Sequence, residues 1–362
     1  MPPMRAPGMV PALLALLATG ALLAGCGADS ETGESTASGA ETAPSRPAPP
    51  KSEFPSTEGR TLRQVLKAAD GPAEAKITSS AEVFYPGVNR YPFDVADRDE
   101  GGITDAEVAL YFAKAPTPGP KAKSKSGNRG PTAKAQQQAL DQPAVGPFPA
   151  SIESLATKPA FRAETTAEDP DAARVVYSTE LSLPSAGEWR IAAIIREDGE
   201  LRGTPVGTAV VGEFKRIPRP GQKAPRIHTP TAQDVGGELS KITTRIPPDS
   251  QNKVDYAAAL GKEPIVLLFA TPEFCQSRVC GPVVDVAEQA KQEYGDKAAF
   301  IHMEIYNDND PAKRVRPQVR AFHLPSEPYL FTIDRSGVAR AAVEGPFGLK
   351  LMHEAVDKAI AG

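Results

Sequence analysis

The chain has 362 residues, enough for about two ordinary domains, with 40% apolar and 24% charged residues. Lys and Arg number 41 against 45 for Asp and Glu, a net charge of −4 that lacks the basic footprint of a nucleic-acid binder. Three cysteines exclude a disulfide-dense scaffold and a zinc site built from cysteines alone, while 37 prolines and 30 glycines assign part of the chain to linkers.

At the N-terminus, Arg5 precedes an apolar run from Val10 to Leu23. At about fourteen residues it has the length of a signal-peptide core and is too short to span a bilayer. The run ends in Leu23-Ala24-Gly25-Cys26, which resembles a bacterial lipoprotein signal, where small residues precede a cysteine that becomes the lipidated first residue. The resemblance implies that residues 1–25 are a signal peptide and that Cys26 carries acyl chains. Two such chains anchor a protein stably, here at the extracytoplasmic face of the cell membrane. Lipid on Cys26 leaves Cys275 and Cys280 as a pair, in a compartment where disulfides persist. Residues 26–60 are Ser, Thr, Glu, Gly, Ala and Pro with little that is apolar, the composition of a disordered tether.

Residues 61–217 read mainly as strands. Ser79–Tyr85, Ala106–Phe112, Ala173–Leu183, Glu188–Arg196 and Thr208–Phe214 are short alternating or β-branched runs. Turn residues bound several of them, as in Pro184-Ser185-Ala186-Gly187 and Asp198-Gly199. The pattern predicts an all-β sandwich of immunoglobulin-like type with Trp189 as a core anchor and no inter-sheet disulfide. Within it, residues 114–149 are rich in Pro, Gly, Lys, Gln and Ala, with Lys114, Lys121, Lys123, Lys125, Arg129 and Lys134 preceding the first acid. They read as a solvated disordered insertion, with a basic arm for anionic lipid or wall polymer as the other reading. This half has no histidine and no catalytic constellation, which suits a spacer or docking module.

Residues 218–362 change class after the linker Pro218-Arg219-Pro220-Gly221. Ile265–Ala270 is a continuous apolar run, as in a buried central strand. Pro282–Tyr294 carries a helical stripe closed by Gly295, Ala299–Tyr306 a second strand, and Pro311–Phe322 a helix. Tyr329–Asp334 and Val338–Glu344 flank a hairpin turn, and Leu349–Ile360 closes the chain as a helix. This order predicts an α/β layer with a mixed central sheet.

Three features of this half carry a resemblance to the thioredoxin superfamily. A buried strand runs into Thr271-Pro272-Glu273-Phe274-Cys275, Cys280-Gly281-Pro282 opens the following helix, and Pro328 directly precedes a later strand. The resemblance implies a thioredoxin-like fold for residues 218–362, a cis-proline at Pro328 beside the cysteines, and thiol–disulfide exchange with another exported protein. Cys275 is then the attacking thiol and Cys280 the resolving one, with the opposite alignment left open by the similarity of Cys280-Gly281-Pro282-Val283 to a C-G-P-C motif. Glu327-Pro328 would bind the partner backbone. Helix N-termini favour thiolates, which suits cysteines at a strand-to-helix junction. The chain departs from the family in its C-x₄-C spacing, in Phe274 where tryptophan is frequent, and in a strand without the acidic residue often buried there. Residues five apart in one helix are about 7.5 Å apart along the axis, beyond disulfide reach. Pro282 as first helical residue would place both cysteines in the preceding loop.

Two further readings stand beside exchange. One is a binding module in which the cysteines form a structural disulfide. The other is a copper chaperone resembling the Sco family, for which soft thiolates suit Cu(I). That family has C-x-x-x-C and a histidine where this chain has Ser326-Glu327, with His323 out of register. The entry Gly221-Gln222-Lys223-Ala224-Pro225 is similar to thioredoxin-like and peroxiredoxin-like domains, but the peroxidase threonine-to-cysteine signature is missing. His228, His302, His323 and His353 lack mutual metal spacing and read as surface or core-edge residues. The acids around Asn307-Asp308-Asn309-Asp310, with Glu304, lack the glycine and distal glutamate of a calcium loop. No cofactor motif is present, so none is expected.

Overall fold

In the computed structural model, which describes residues 43–116, 137–212 and 214–362, the first half folds as nine strands. They are β1 (Gly71–Pro72), β2 (Lys76–Ser79), β3 (Gly87–Ala96), β4 (Val108–Lys114), β5 (Val145–Pro149), β6 (Ser151–Ser154), β7 (Val175–Leu183), β8 (Gly187–Glu197) and β9 (Glu200–Val211). Two sheets result, in the orders β1-β9-β8-β4-β5 and β2-β3-β7-β6. Their inner faces share one core: Tyr91 and Phe93 of β3, Phe112 of β4, Tyr177 and Leu181 of β7, and Trp189 of β8. Trp189 is 4% exposed and its indole N–H donates to the Ser185 carbonyl at 3.0 Å, so the polar edge of this large side chain is satisfied.

The outer face of the larger sheet corrects the expected tether. Alternate residues of β4 point away from the shared core, and these too are apolar: Ala109, Tyr111 and Ala113, beside Ala192 and Ile194 of β8. A strand apolar on both faces needs cover on both. Phe54 and the helix α1 (Leu62–Lys67), through Leu62 and Val65, supply it. Thr61 and Gln64 form a reciprocal capping box at the start of α1. Residues 43–60 are therefore part of the fold, with Arg46 bridging to Ile152 and the Tyr111 hydroxyl donating to the Pro55 carbonyl at 2.9 Å. The signal peptide, Cys26 and the basic residues Lys121 to Lys134 lie outside the described residues.

Two other sequence expectations shift. The strand placed at Ser79–Tyr85 is instead β2, ending at Ser79, followed by the longer β3. Pro92 broke the apolar alternation of β3, although Tyr91, Phe93 and Val95 still face the core. The insertion also closes earlier than residue 149, because β5 pairs with β4 through Ala109↔Pro149 and Leu110↔Phe148.

The second half is an α/β layer. Its strands are β10 (Ile265–Phe269), β11 (Ala299–Met303), β12 (Tyr329–Ile333) and β13 (Ala339–Glu344), ordered β11-β10-β12-β13. Strand β10 runs parallel to β11 and antiparallel to β12. Short helices α2 (Glu164–Ala167), from the first half, and α3 (Tyr256–Ala259) precede the long α4 (Cys280–Tyr294); α5 (Pro317–Ala321) and α6 (Leu349–Ala361) follow. Val266 and Leu268 of β10 pack with Val283 and Val286 of α4 and Met352 and Val356 of α6. Ile265, Leu267 and Phe269 face Tyr256, Val319 and Phe322 on the other side. Both faces are buried, which explains the unbroken apolar run. Helix α5 begins only at Pro317, since a proline removes an amide and suits a first helical turn; the helix expected from Pro311 is thereby shortened.

The halves are joined by polar contacts. The Glu344 carboxylate accepts from the Glu82 and Val83 amides at 2.9 and 2.8 Å. Asp285 on α4 pairs with Arg245 at 2.9 Å and accepts the Ala163 amide at 3.1 Å, while Arg245 also donates to the Phe161 carbonyl at 2.7 Å.

His302 corrects another reading, for it is a core residue. Its Nδ1 lies 2.8 Å from Asp249 and its Nε2 3.1 Å from the Ala270 carbonyl. Two acceptors require two donors, so the ring is the imidazolium. Burial opposes that charge, but Asp249 outweighs it and holds His302 up to about 9. Burial likewise opposes the Asp249 carboxylate, and His302 with Thr243 brings it down to about 2. The raised histidine contributes stability that is complete below its unfolded value near 6.5 and is lost as pH rises through about 9. The depressed carboxylate contributes above 3.8 and loses it as pH falls toward about 2. Urea unfolding midpoints should therefore fall between pH 7 and pH 10 and fall again below pH 4. His302→Gln, which strands a buried carboxylate, should cost about 3–5 kcal/mol at pH 7, with partial recovery when Asp249→Asn is added. An alkaline profile identical in wild type and His302→Gln would refute this assignment.

Candidate active site

Strand register builds the site. Phe269, the last residue of β10, stands opposite Met303 of β11 and Tyr329 of β12. The chain leaving β10 (Ala270 to Cys275), the chain leaving β11 (Glu304 to Tyr306) and the chain entering β12 (Ser326 to Pro328) therefore meet at one edge of the sheet. The Glu327–Pro328 peptide is cis.

Cys275 and Cys280 both stand here as free thiols, so the structure describes the pair expected to bridge in its reduced form. Cys275 lies in the loop and is 6% exposed, while Cys280 is the first residue of α4 and fully buried. Helix α4 thus begins two residues before Pro282, and Cys280 is helical rather than part of the preceding loop. The C-x₄-C spacing remains compatible with approach, because only Cys280 belongs to the helix. The Arg278 amide donates to the Cys275 carbonyl at 3.2 Å and Arg278 takes φ 56°, which folds the intervening residues into a turn.

The two thiols have opposite characters. Hydrogen bonding from the Cys280 thiol, against the effect of burial, brings Cys275 down to about 6, with help from Ser277 and the Cys280 and Val279 amides. Ser277 Oγ is 3.5 Å from Cys275 Sγ. Burial pushes the Cys280 thiol up, reinforced by its bond to Cys275 and by the charges of Glu327 and Cys275. At neutral pH the arrangement is a thiolate at the opening and a thiol beneath it, which is the form needed for a nucleophile with a resolving partner.

A carboxyl from outside β10 also stands beside Cys280. Glu327 Oε2 lies 3.8 Å from Cys280 Sγ, within reach of a sulfur hydrogen bond once the S–H is no longer given to Cys275. Burial, then the charges of Cys275 and Glu304, push the Glu327 carboxyl up to about 9. Glu304 is fully buried; its Oε1 accepts from the Thr244 amide and hydroxyl, each at 2.7 Å, and its Oε2 has no partner. The Tyr306 phenol is raised by burial and by the charges of Glu327 and both cysteines, and its ring meets Phe274 edge-on at 6.4 Å.

Of the residues chosen from sequence, the structure brings Cys275, Cys280, Glu327 and Pro328 together at this edge. The Glu327 side chain, Glu304, Tyr306 and Ser277 were not foreseen in this role. A glutamate before a strand-opening proline was a usable signal, whereas Glu304 and Tyr306 carry none outside the register of β11. Segment 163–174 also borders the site: the Ala173 amide donates to the Arg278 carbonyl at 3.1 Å, and Arg278 pairs with Asp169 at 3.2 Å. Gly281 faces Thr166 so closely that a Cβ would lie 2.8 Å from its hydroxyl. His323 is exposed and takes no part, so the histidine of the copper-chaperone pattern is not supplied. Asp308 pairs with Lys313 at 2.7 Å, a use of that acid within its own loop. A cleft of about 1020 Å³ lies at one end of the sandwich among Glu74, Asp97, Asp105, Glu107, Glu197 and Arg202, and shares no residue with the cysteines.

No family model matches the chain, and no curated protein matches it. Among solved structures it is similar to a thioredoxin-family thiol:disulfide interchange protein from Chlorobium tepidum TLS, with 18% identity and a TM-score of 0.28 over 39% of this chain and 97% of that one.

The thiol asymmetry is directly testable. Brief iodoacetamide treatment at pH 7 should alkylate Cys275 and leave Cys280 unmodified by peptide mass spectrometry, with a midpoint for Cys275 near pH 6. Ser277→Ala should move that midpoint upward. Equal labelling of the two cysteines would refute the asymmetry.

Proposed function

We propose that this protein is an extracytoplasmic thiol–disulfide oxidoreductase with a thioredoxin-like C-terminal domain, held at the cell membrane by lipid on Cys26. The observation supporting the reading is the pairing of a depressed thiol at Cys275 with a buried, raised thiol at Cys280, beside a cis-proline. The order of β10, α4, β11, β12, β13 and α6, with a parallel β10–β11 pair and an antiparallel hairpin, is the layer expected of that fold.

In this reading the Cys275 thiolate attacks a disulfide of an exported partner. One partner sulfur becomes bonded to Cys275 and the other leaves as a thiolate. Cys280 then attacks Cys275, forming the Cys275–Cys280 disulfide and releasing the partner dithiol; the reverse sequence oxidises a partner. The backbone at Glu327-Pro328 holds the partner chain in extended form. The sandwich, of immunoglobulin-like type, serves as a docking or spacing unit between membrane and redox site. A binding module with a structural bridge is the second reading, favoured by the large cleft in the sandwich.

The reduction potential separates the two. Equilibrated against glutathione in the full chain, an exchange-competent pair should lie above about −300 mV, whereas a structural staple lies below that value. Cys275→Ser should abolish exchange with a disulfide-containing peptide, and Cys280→Ser should accumulate the mixed disulfide as a covalent adduct by mass spectrometry. A potential well below that limit, or no exchange in the wild type, would favour the binding module, and exchange that survives Cys275→Ser would assign the attack to Cys280.

A further inference from the structure

Resolution of a mixed disulfide requires Cys280 to become a thiolate, yet Cys280 is fully buried and starts as a thiol. A thiol without solvent contact needs an internal base, and β10 provides only Ile265, Val266, Leu267, Leu268 and Phe269. The carboxyl that reaches Cys280 is Glu327, whose Oε2 lies 3.8 Å from its Sγ, placed to accept the S–H when Cys275 is in a mixed disulfide. The placement is imposed by the fold, since Glu327 precedes the cis-proline that leads into β12, the neighbour of β10. We infer that the Glu327 carboxylate takes the proton from Cys280 as the mixed disulfide on Cys275 is resolved, and gives it to the partner thiolate that leaves. This deepens the oxidoreductase reading and rests on it.

The atoms balance. In the mixed disulfide, Cys275 Sγ is bonded to a partner sulfur. Glu327 removes the Cys280 proton, the Cys280 thiolate forms the bond to Cys275 Sγ, and the Cys275–partner bond breaks with its electron pair on the partner sulfur. That thiolate receives the proton from Glu327. The partner has gained two electrons, the cysteine pair has lost two, and the glutamate is regenerated.

The electrostatics time the step. The groups facing Glu327 are Cys275 and Cys280 from the redox loop and α4, Glu304 and Tyr306 from the chain leaving β11, and the Thr271 backbone from the chain leaving β10. While Cys275 is a thiolate its charge, with burial and Glu304, keeps Glu327 protonated. A disulfide at Cys275 removes that charge and so brings the carboxyl down, toward its ionised form, when a base is wanted. Neutralising Cys275 also brings Cys280 down, since the Cys275 charge is one of the causes raising it. In the proposed cycle, reduction of the pair takes up one proton on Cys280 and one on Glu327 at neutral pH.

The test uses the full chain, reduced, mixed in a stopped-flow instrument with a small aromatic disulfide whose released thiolate absorbs visible light. Attack by Cys275 releases one equivalent in a fast phase, and resolution by Cys280 releases a second in a slow phase. In Glu327→Gln the fast phase should stay within about threefold of wild type, while the slow phase should fall at least tenfold, in the range of general acid–base effects. Glu327→Asp, which keeps a carboxylate, should recover part of the loss. A further readout is the slope of the reduction potential between pH 7 and pH 8. Each proton taken up contributes tenfold per pH unit in the equilibrium constant, about 29.6 mV, so wild type should show two such steps and Glu327→Gln one. A slow phase unchanged in Glu327→Gln, equal slowing of both phases, or identical slopes would overturn the assignment of Glu327. Absence of the fast phase in wild type would instead overturn the oxidoreductase reading on which it rests.

Discussion

Everything at the cysteine site depends on the pairing of β10 with its two neighbours. Because Phe269 ends β10 opposite both Met303 and Tyr329, the three chain segments beyond those residues are forced together. The register is held by the core. Val266 and Leu268 belong to one side and Ile265, Leu267 and Phe269 to the other, so a slip by one residue would exchange their faces. With hydrophobic burial worth roughly 25 cal/mol per Å² of apolar surface, such a slip is heavily disfavoured. The geometry of Cys275, Cys280, Glu327 and Glu304 is thus secured by side chains that never touch them.

Within that frame, low polarity makes each polar contact consequential. One hydrogen bond between two thiols is enough to divide them into a thiolate and a thiol, because burial penalises two charges more than one. Glu304 is oriented by Thr244, and its charge in turn keeps Glu327 from ionising beside a thiolate. On the far side of Ala270, the Asp249–His302 pair is matched in charge and fixes the end of β10 by donating to its carbonyl. The His302 ring is paired at both nitrogens, whereas Glu304 Oε2 has no partner.

The sandwich is structurally part of this arrangement. Segment 158–174 leaves it to run along α4, where Lys158 donates to Gln289, Ala163 to Asp285 and Ala173 to Arg278. The turn between the two cysteines is consequently held from outside its own half of the chain.

Sequence alone determined the broad division into strands and an α/β layer, since period-two alternation, unbroken apolar runs and turn residues are local properties. It also determined Cys275, Cys280 and Pro328 as neighbours through a recognisable strand–loop–helix and strand-opening proline. What it missed was non-local. Residues 43–60 look like tether because their composition is polar, yet the outward residues Ala109, Tyr111 and Ile194 require them as cover. His302 looks like a core-edge residue until Asp249, fifty-three positions away, pairs with it. The carboxyl for Cys280 is absent from the strand beside it and arrives from Glu327, forty-seven positions along the chain. Tertiary structure decided these because burial and charge depend on which strand ends meet, and that is set by register in the sheet rather than by spacing in the chain.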